Sequence, residues 1–215
     1  MIHFILYILF ITGGFSISLE NKPIELMIDP KSPDKDLVKM FQSKYMSMQN
    51  GDVGYGSFGP KTTKFWQDIC NDEKMYEIIY ENSLNLKEDK KLKESNMILD
   101  YLINFDKTPR NIIIKSKFLR AQIFYDLSYY VQAVNYFKSI LEEEISSEYR
   151  KKALFMTAYI YNNNLNMYTD AIDYYKTFLN DYKNDELISS VEYELDQINS
   201  IVAKIKDWNV KYIGF

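Results

Sequence analysis

The chain has 215 residues, is 47% hydrophobic and 26% charged, and carries a net charge of −4. That balance is a folded protein's rather than a disordered chain's, and the lack of a basic excess argues against nucleic acid as a partner. With one Cys (Cys70) and one His (His3), an intramolecular disulfide is excluded and a Cys/His zinc site is not expected.

Residues 1–18 read as a secretory signal peptide. Positions 4–11 are unbroken apolar, Gly13 and Gly14 end the run, and Ser16 and Ser18 supply the small–x–small pattern of a cleavage site. The leading end carries only His3, without Lys or Arg. The alternative is an uncleaved anchor, in which residues 2–19 associate with a membrane at the short end of spanning length. The first reading gives an exported protein of the periplasm or cell envelope. The second gives an N-terminally anchored structural or assembly subunit. A mature N-terminus near Leu19 separates them.

Residues 19–70 form an extension. The stretch 19–33 holds Pro23, Pro30 and Pro33 and reads as an extended lead-in with a short strand at Ile24–Ile28. Over 34–49, Leu37, Met40, Phe41, Tyr45 and Met48 fall at helical spacing behind Asp34, giving one amphipathic helix with an N-cap. The Gly-rich loop that follows reads as a flexible connector. It contains a literal G-x-G-x-x-G at Gly54, Gly56 and Gly59. That motif binds phosphate only between a strand and a helix N-terminus. Here a helix precedes it and Pro60 removes an N–H, so nucleotide binding is not expected.

From 71 onward helices are expected over 71–86, 91–106, 111–127, 130–145, 147–163, 168–182 and 185–206. Small residues recur at a fixed interval. Ser83, Ala121 and Ala158 are separated by 38 and 37, and Ser95, Ala133 and Ala171 by 38 and 38. Such a period is the mark of stacked helix pairs. Two antiparallel helices close to about 8–9 Å only where a small side chain lets a large neighbour sit over it. The small residues are the predicted contact points, with Phe124, Tyr130 and Phe137 as the surrounding bulk.

These residues resemble the tetratricopeptide repeat, a helix–turn–helix unit of about 34 residues. Ala121, Phe124, Tyr130, Ala133, Phe137 and Ile140 match its pattern, as do Ala158, Tyr161, Tyr168, Ala171, Tyr175 and Phe178. Ser83, Leu86, Leu92, Ser95, Leu99 and Leu102 keep the offsets without the aromatics. The chain departs from the pattern at Lys117 and Leu154, where a Trp is expected, and in the missing closing Pro. The likeness covers residues 76–182 and is to the exported, periplasmic type found in outer-membrane assembly and cell-envelope proteins. It implies an all-α fold, a right-handed superhelix of antiparallel helix pairs (an α-solenoid). About three pairs would fill 71–182, a capping helix 183–206 and a tail 207–215. It implies a non-catalytic protein–protein interaction scaffold whose partner is an envelope protein or peptide segment.

The groove positions implied by the resemblance are Tyr80 on the first pair, Lys115, Phe118, Gln122 and Tyr125 on the second, and Lys152, Phe155, Tyr159 and Asn162 on the third. The aromatic line Tyr80, Phe118 and Phe155 suits a peptide ligand, and it equally suits packing against the next repeat. The lysines do not reproduce the family's clamp for acidic C-termini. No catalytic residue, metal ligand or cofactor is expected, because removal of His3 leaves no imidazole base for nucleophilic chemistry.

Overall fold

The computed structural model describes residues 24–143 and 148–212. The signal or anchor segment and the last three residues of the tail lie outside them. Among the described residues there are nine α-helices and no strands. They are α1 (Lys35–Met46), α2 (Pro60–Cys70), α3 (Glu73–Glu88), α4 (Leu92–Asn104), α5 (Arg110–Asp126), α6 (Tyr130–Leu141), α7 (Glu148–Asn163), α8 (Tyr168–Asp181) and α9 (Ile188–Tyr212). Packing is mainly between consecutive helices, as in an α-solenoid. The chain divides into two compact units, one up to Tyr101 and one from Leu102. No described helix is long and apolar enough to cross a membrane.

In the N-terminal unit, the expected strand at Ile24–Ile28 is instead a single 3-10 turn, Ile24–Leu26. Its polar groups are satisfied by side chains rather than by a sheet. Buried Glu25 accepts from Lys44 Nζ at 2.6 Å and from the Tyr45 hydroxyl at 3.1 Å. The Leu26 carbonyl accepts from Trp66 Nε1 at 2.9 Å. Helix α1 begins as the sequence predicts, with the Asp34 carboxylate capping the amides of Asp36 and Leu37.

The Gly-rich segment differs from the expected flexible connector. Gln42 on α1 is fully buried and its carboxamide organises the loop. Nε2 reaches Gly54 O at 3.1 Å, Ser57 O at 3.0 Å and Thr62 Oγ1 at 2.9 Å, and Oε1 accepts from the Gly56 amide at 2.6 Å. Gly54 and Gly56 have positive φ, 86° and 78°, a conformation that side chains disfavour. The loop then feeds directly into α2, a second helix in a region expected to hold only one. Pro60 is responsible. Inside a helix it would be disruptive, but at the first helical position its missing N–H costs nothing and its fixed φ is already helical.

In the paired region all six periodic small residues are completely buried: Ser83, Ser95, Ala121, Ala133, Ala158 and Ala171. A second periodicity appears only in the backbone. Lys90, Ser128 and Asn166 are left-handed, with φ of 63°, 62° and 55°. Each lies in the turn between α3 and α4, α5 and α6, or α7 and α8, again 38 residues apart. The turns close by matching hydrogen bonds, Lys91 N to Leu86 O and Tyr129 N to Phe124 O, both 2.8 Å. The third turn is a residue longer and closes from Met167 N to Tyr161 O, also at 2.8 Å.

The C-terminal unit has one continuous core running from Ile114 to Ile198. Its pairs are tied by ion pairs at their ends. Glu143 takes Lys117 Nζ at 2.7 Å and Arg110 Nη2 at 2.9 Å, and Lys151 Nζ takes Asp185 at 2.7 Å. Helix α9 packs on α8 and buries Val191 and Ile198. It starts later and runs further than the expected 183–206, because no Gly or Pro interrupts the sequence before Gly214. Residues 207–212, expected as part of the tail, are its last turns.

Candidate functional site

Helices α5 and α7 are the first members of the two pairs in the C-terminal unit. Both bury residues around much of their circumference. On α5 these are Ile112, Ile114, Ser116, Phe118, Leu119, Ala121 and Ile123, and α7 shows a similar spread. A helix packed on several sides leaves only narrow accessible strips. On α5, Lys115, Gln122 and Tyr125 are half-buried along one side, and Ile113, Lys117, Arg120 and Phe124 along the opposite side. On α7 the corresponding groove residues are exposed Lys152 and half-buried Phe155 and Tyr159. The predicted groove residues on each of these helices are spaced to lie on one side of it.

Three of the predicted residues lie deeper. Phe118 is 8% exposed and packs edge-on against Phe137 and Tyr149, each at 5.3 Å between ring centres. Asn162 is 7% exposed. Tyr80 is buried too and belongs to the N-terminal unit. For Tyr80 and Phe118 the packing alternative describes what the rings touch. Phe155 has both characters. It makes edge-type contacts with Tyr175 and Phe178 at 6.1 and 6.3 Å, and lies nearly parallel to Tyr159 at 6.2 Å and 23°.

The face is ordered by polar contacts across helices. The Tyr159 phenol on α7 lies close enough to Tyr125 on α5 to disfavour its ionisation. Burial pushes the Tyr125 phenol up, and Tyr159, Tyr130 and Asp126 push the same way. At the far end, Asn162 Nδ2 donates to Glu194 Oε2 on α9 at 2.8 Å, and Asn163 Nδ2 reaches the same oxygen at 3.4 Å. Beneath lies Tyr175, fully buried, its hydroxyl without a hydrogen-bond partner among the described residues. Its pKa is raised by burial first, then by the charge of Glu194 and by Tyr159.

Glu194 is the functional candidate that reading the sequence missed. The resemblance supplies groove positions only for helix pairs, and α9 is unpaired. Its two buried anchors were the available signal. Val191 and Ile198 set the inward side of α9, and residue 194 lies between them, three positions on from Val191.

The arrangement offers phenols, amides, two lysines and one carboxylate, which are recognition groups. Among the described residues no cluster of His, Cys, Asp or Glu could hold a metal ion. A separate shallow groove of about 400 Å³ between the α7–α8 turn and α9 is lined mainly by Met167, Tyr168, Val202 and Ile205. No family model, no curated protein and no solved structure matches the chain.

Proposed function

We propose that this chain is a non-catalytic protein-binding scaffold of the cell envelope. Its helix pairs would form a right-handed superhelix of tetratricopeptide type, and a peptide segment of the partner would lie along the α5–α7 face. The observation that carries the reading is the half-buried aromatic strip Phe155–Tyr159–Tyr125, in which the Phe155 and Tyr159 rings are stacked at 6.2 Å. Aromatic groups pre-ordered in this way bind with little loss of side-chain entropy. The six fully buried small residues and the three left-handed turns support the repeat architecture.

A photo-crosslinking residue placed at Gln122 or Lys152, in the chain produced in its own cells, tests the face. Both positions should trap a discrete protein. Gln132 on α6 and Lys176 on α8, exposed positions on the second helices, should trap none. Equal yields from all four positions would refute the assignment.

A further inference from the structure

We propose that Glu194 makes this face selective for a basic side chain, an arginine of an extended peptide seated against the Phe155–Tyr159 stack. The proposal rests on the binding role of the α5–α7 face and gives it a charge rule.

Glu194 is half-buried, and two amides converge on one of its oxygens, Oε2. Its other oxygen, Oε1, has no partner among the described residues, and no Lys or Arg pairs with it. Two other half-buried carboxylates of the same unit are matched by cations, whereas Asp170 is not. Glu143 has Lys117 and Arg110, and Asp185 has Lys151. Lys152 does not supply the missing charge. It lies ten residues before Asn162 on α7, about 15 Å along the axis, and Glu148 holds it at 3.5 Å. Asn162 and Asn163 thus hold in place a negative charge with which no cation pairs among the described residues. Behind it the Tyr175 hydroxyl is a second polar atom with no partner.

The chemistry that suits such a place is a planar cation rich in donors. A guanidinium presents five N–H groups in a fixed fork, pairs with carboxylates and stacks on aromatic faces. An ammonium supplies the charge without the plane. The stacked Phe155 and Tyr159 rings provide a surface on which that plane lies, adding a cation–π contribution.

The test uses the full chain and acetylated nonapeptides of Ser and Leu that differ only in their central residue, Arg, Lys or Gln. Binding is followed by NMR through the backbone amides of Tyr159 and Glu194. The Arg peptide should bind about fivefold or more tightly than the Gln peptide, in line with one partly buried charge pair. Glu194→Gln should abolish that preference. It keeps an oxygen for the Asn162 amide, so the fold is retained. Glu192→Gln, on an exposed neighbour, makes the same change in net charge and should leave the preference intact. Three results would overturn the proposal: an Arg preference that survives Glu194→Gln, one lost equally in Glu192→Gln, or displacement of the Arg peptide by an equal concentration of spermidine. If the Arg preference is absent while crosslinks still form at Gln122 and Lys152, the charge rule falls and the binding face stands. If neither appears, both fall.

Discussion

Replacing Gln42 by Leu should loosen the Gly-rich segment while leaving the surrounding helices folded. The carboxamide has two N–H donors facing three acceptors, Gly54 O, Ser57 O and Thr62 Oγ1, so one contact is shared. With the Gly56 amide to Oε1, the side chain makes about three full hydrogen bonds. Each is worth about 1 kcal/mol net. Leu restores most of the volume, and Gly54 and Ser57 are exposed enough for water to replace their lost partner. Thr62 is buried and its hydroxyl would lose this contact. The balance is a loss of about 2–4 kcal/mol from the N-terminal unit. Urea unfolding followed by Trp66 fluorescence, in a Trp208→Phe background, reads it directly. Hydrogen exchange at the Gly56 amide should accelerate by roughly a hundredfold, as about 3 kcal/mol requires. A midpoint shift worth under about 0.5 kcal/mol, with Gly56 exchange unchanged, would refute this account of the loop.

Ala171→Leu should overpack the contact between α7 and α8, costing about 1–3 kcal/mol and lowering the melting temperature by about 2–12 °C; an unchanged melt would count against the pairing. Acid should weaken the C-terminal unit through two carboxylates. The Lys117 hydrogen bond, followed by that of Arg110, holds Glu143 below its ordinary 4.5, and Lys151 holds Asp185 below 3.8. Their contribution is therefore complete above those ordinary values and is lost as pH falls through the lowered ones. Melts between about pH 6 and 2.5 should show the decline, and Lys117→Met with Lys151→Met should flatten it; an equally steep decline in that variant would refute the assignment.

The paired region was legible because small residues recur among bulky ones, and all six proved fully buried. The turns were not legible. Their shared feature is a left-handed backbone carried by Lys90, Ser128 and Asn166, three residue types with no common side-chain chemistry. The loop was misread for a related reason. Gln42 looks polar and therefore outward, and only the fold reveals three backbone groups and a hydroxyl converging on it. The resemblance likewise placed groove positions on α5 and α7 without saying how deep each one lies. Phe118 and Phe155 hold equivalent places, yet the first is buried against Tyr149 and Phe137 while the second stays half-buried. For Glu194 the sequence offered only its inward placement between Val191 and Ile198, and not its partner Asn162, 32 residues away.

The first helix pair differs from the later two in what its small residues do. Ser83 and Ser95 stand where alanines stand in the other pairs, and Ser95 Oγ donates to Ser83 O at 2.7 Å while Ser83 Oγ donates to Tyr80 O at 2.6 Å. An alanine sets only how closely two helices approach. A directional bond from one helix to the backbone of the other also sets how far each has slid along its axis. The α3–α4 pair is therefore latched against shear, whereas α5–α6 and α7–α8, with methyl groups at these points, lack that latch. There the directional contacts sit at the ends instead, as where Glu143 holds Lys117 and Arg110 of α5, so the middle of each pair is set by side-chain packing.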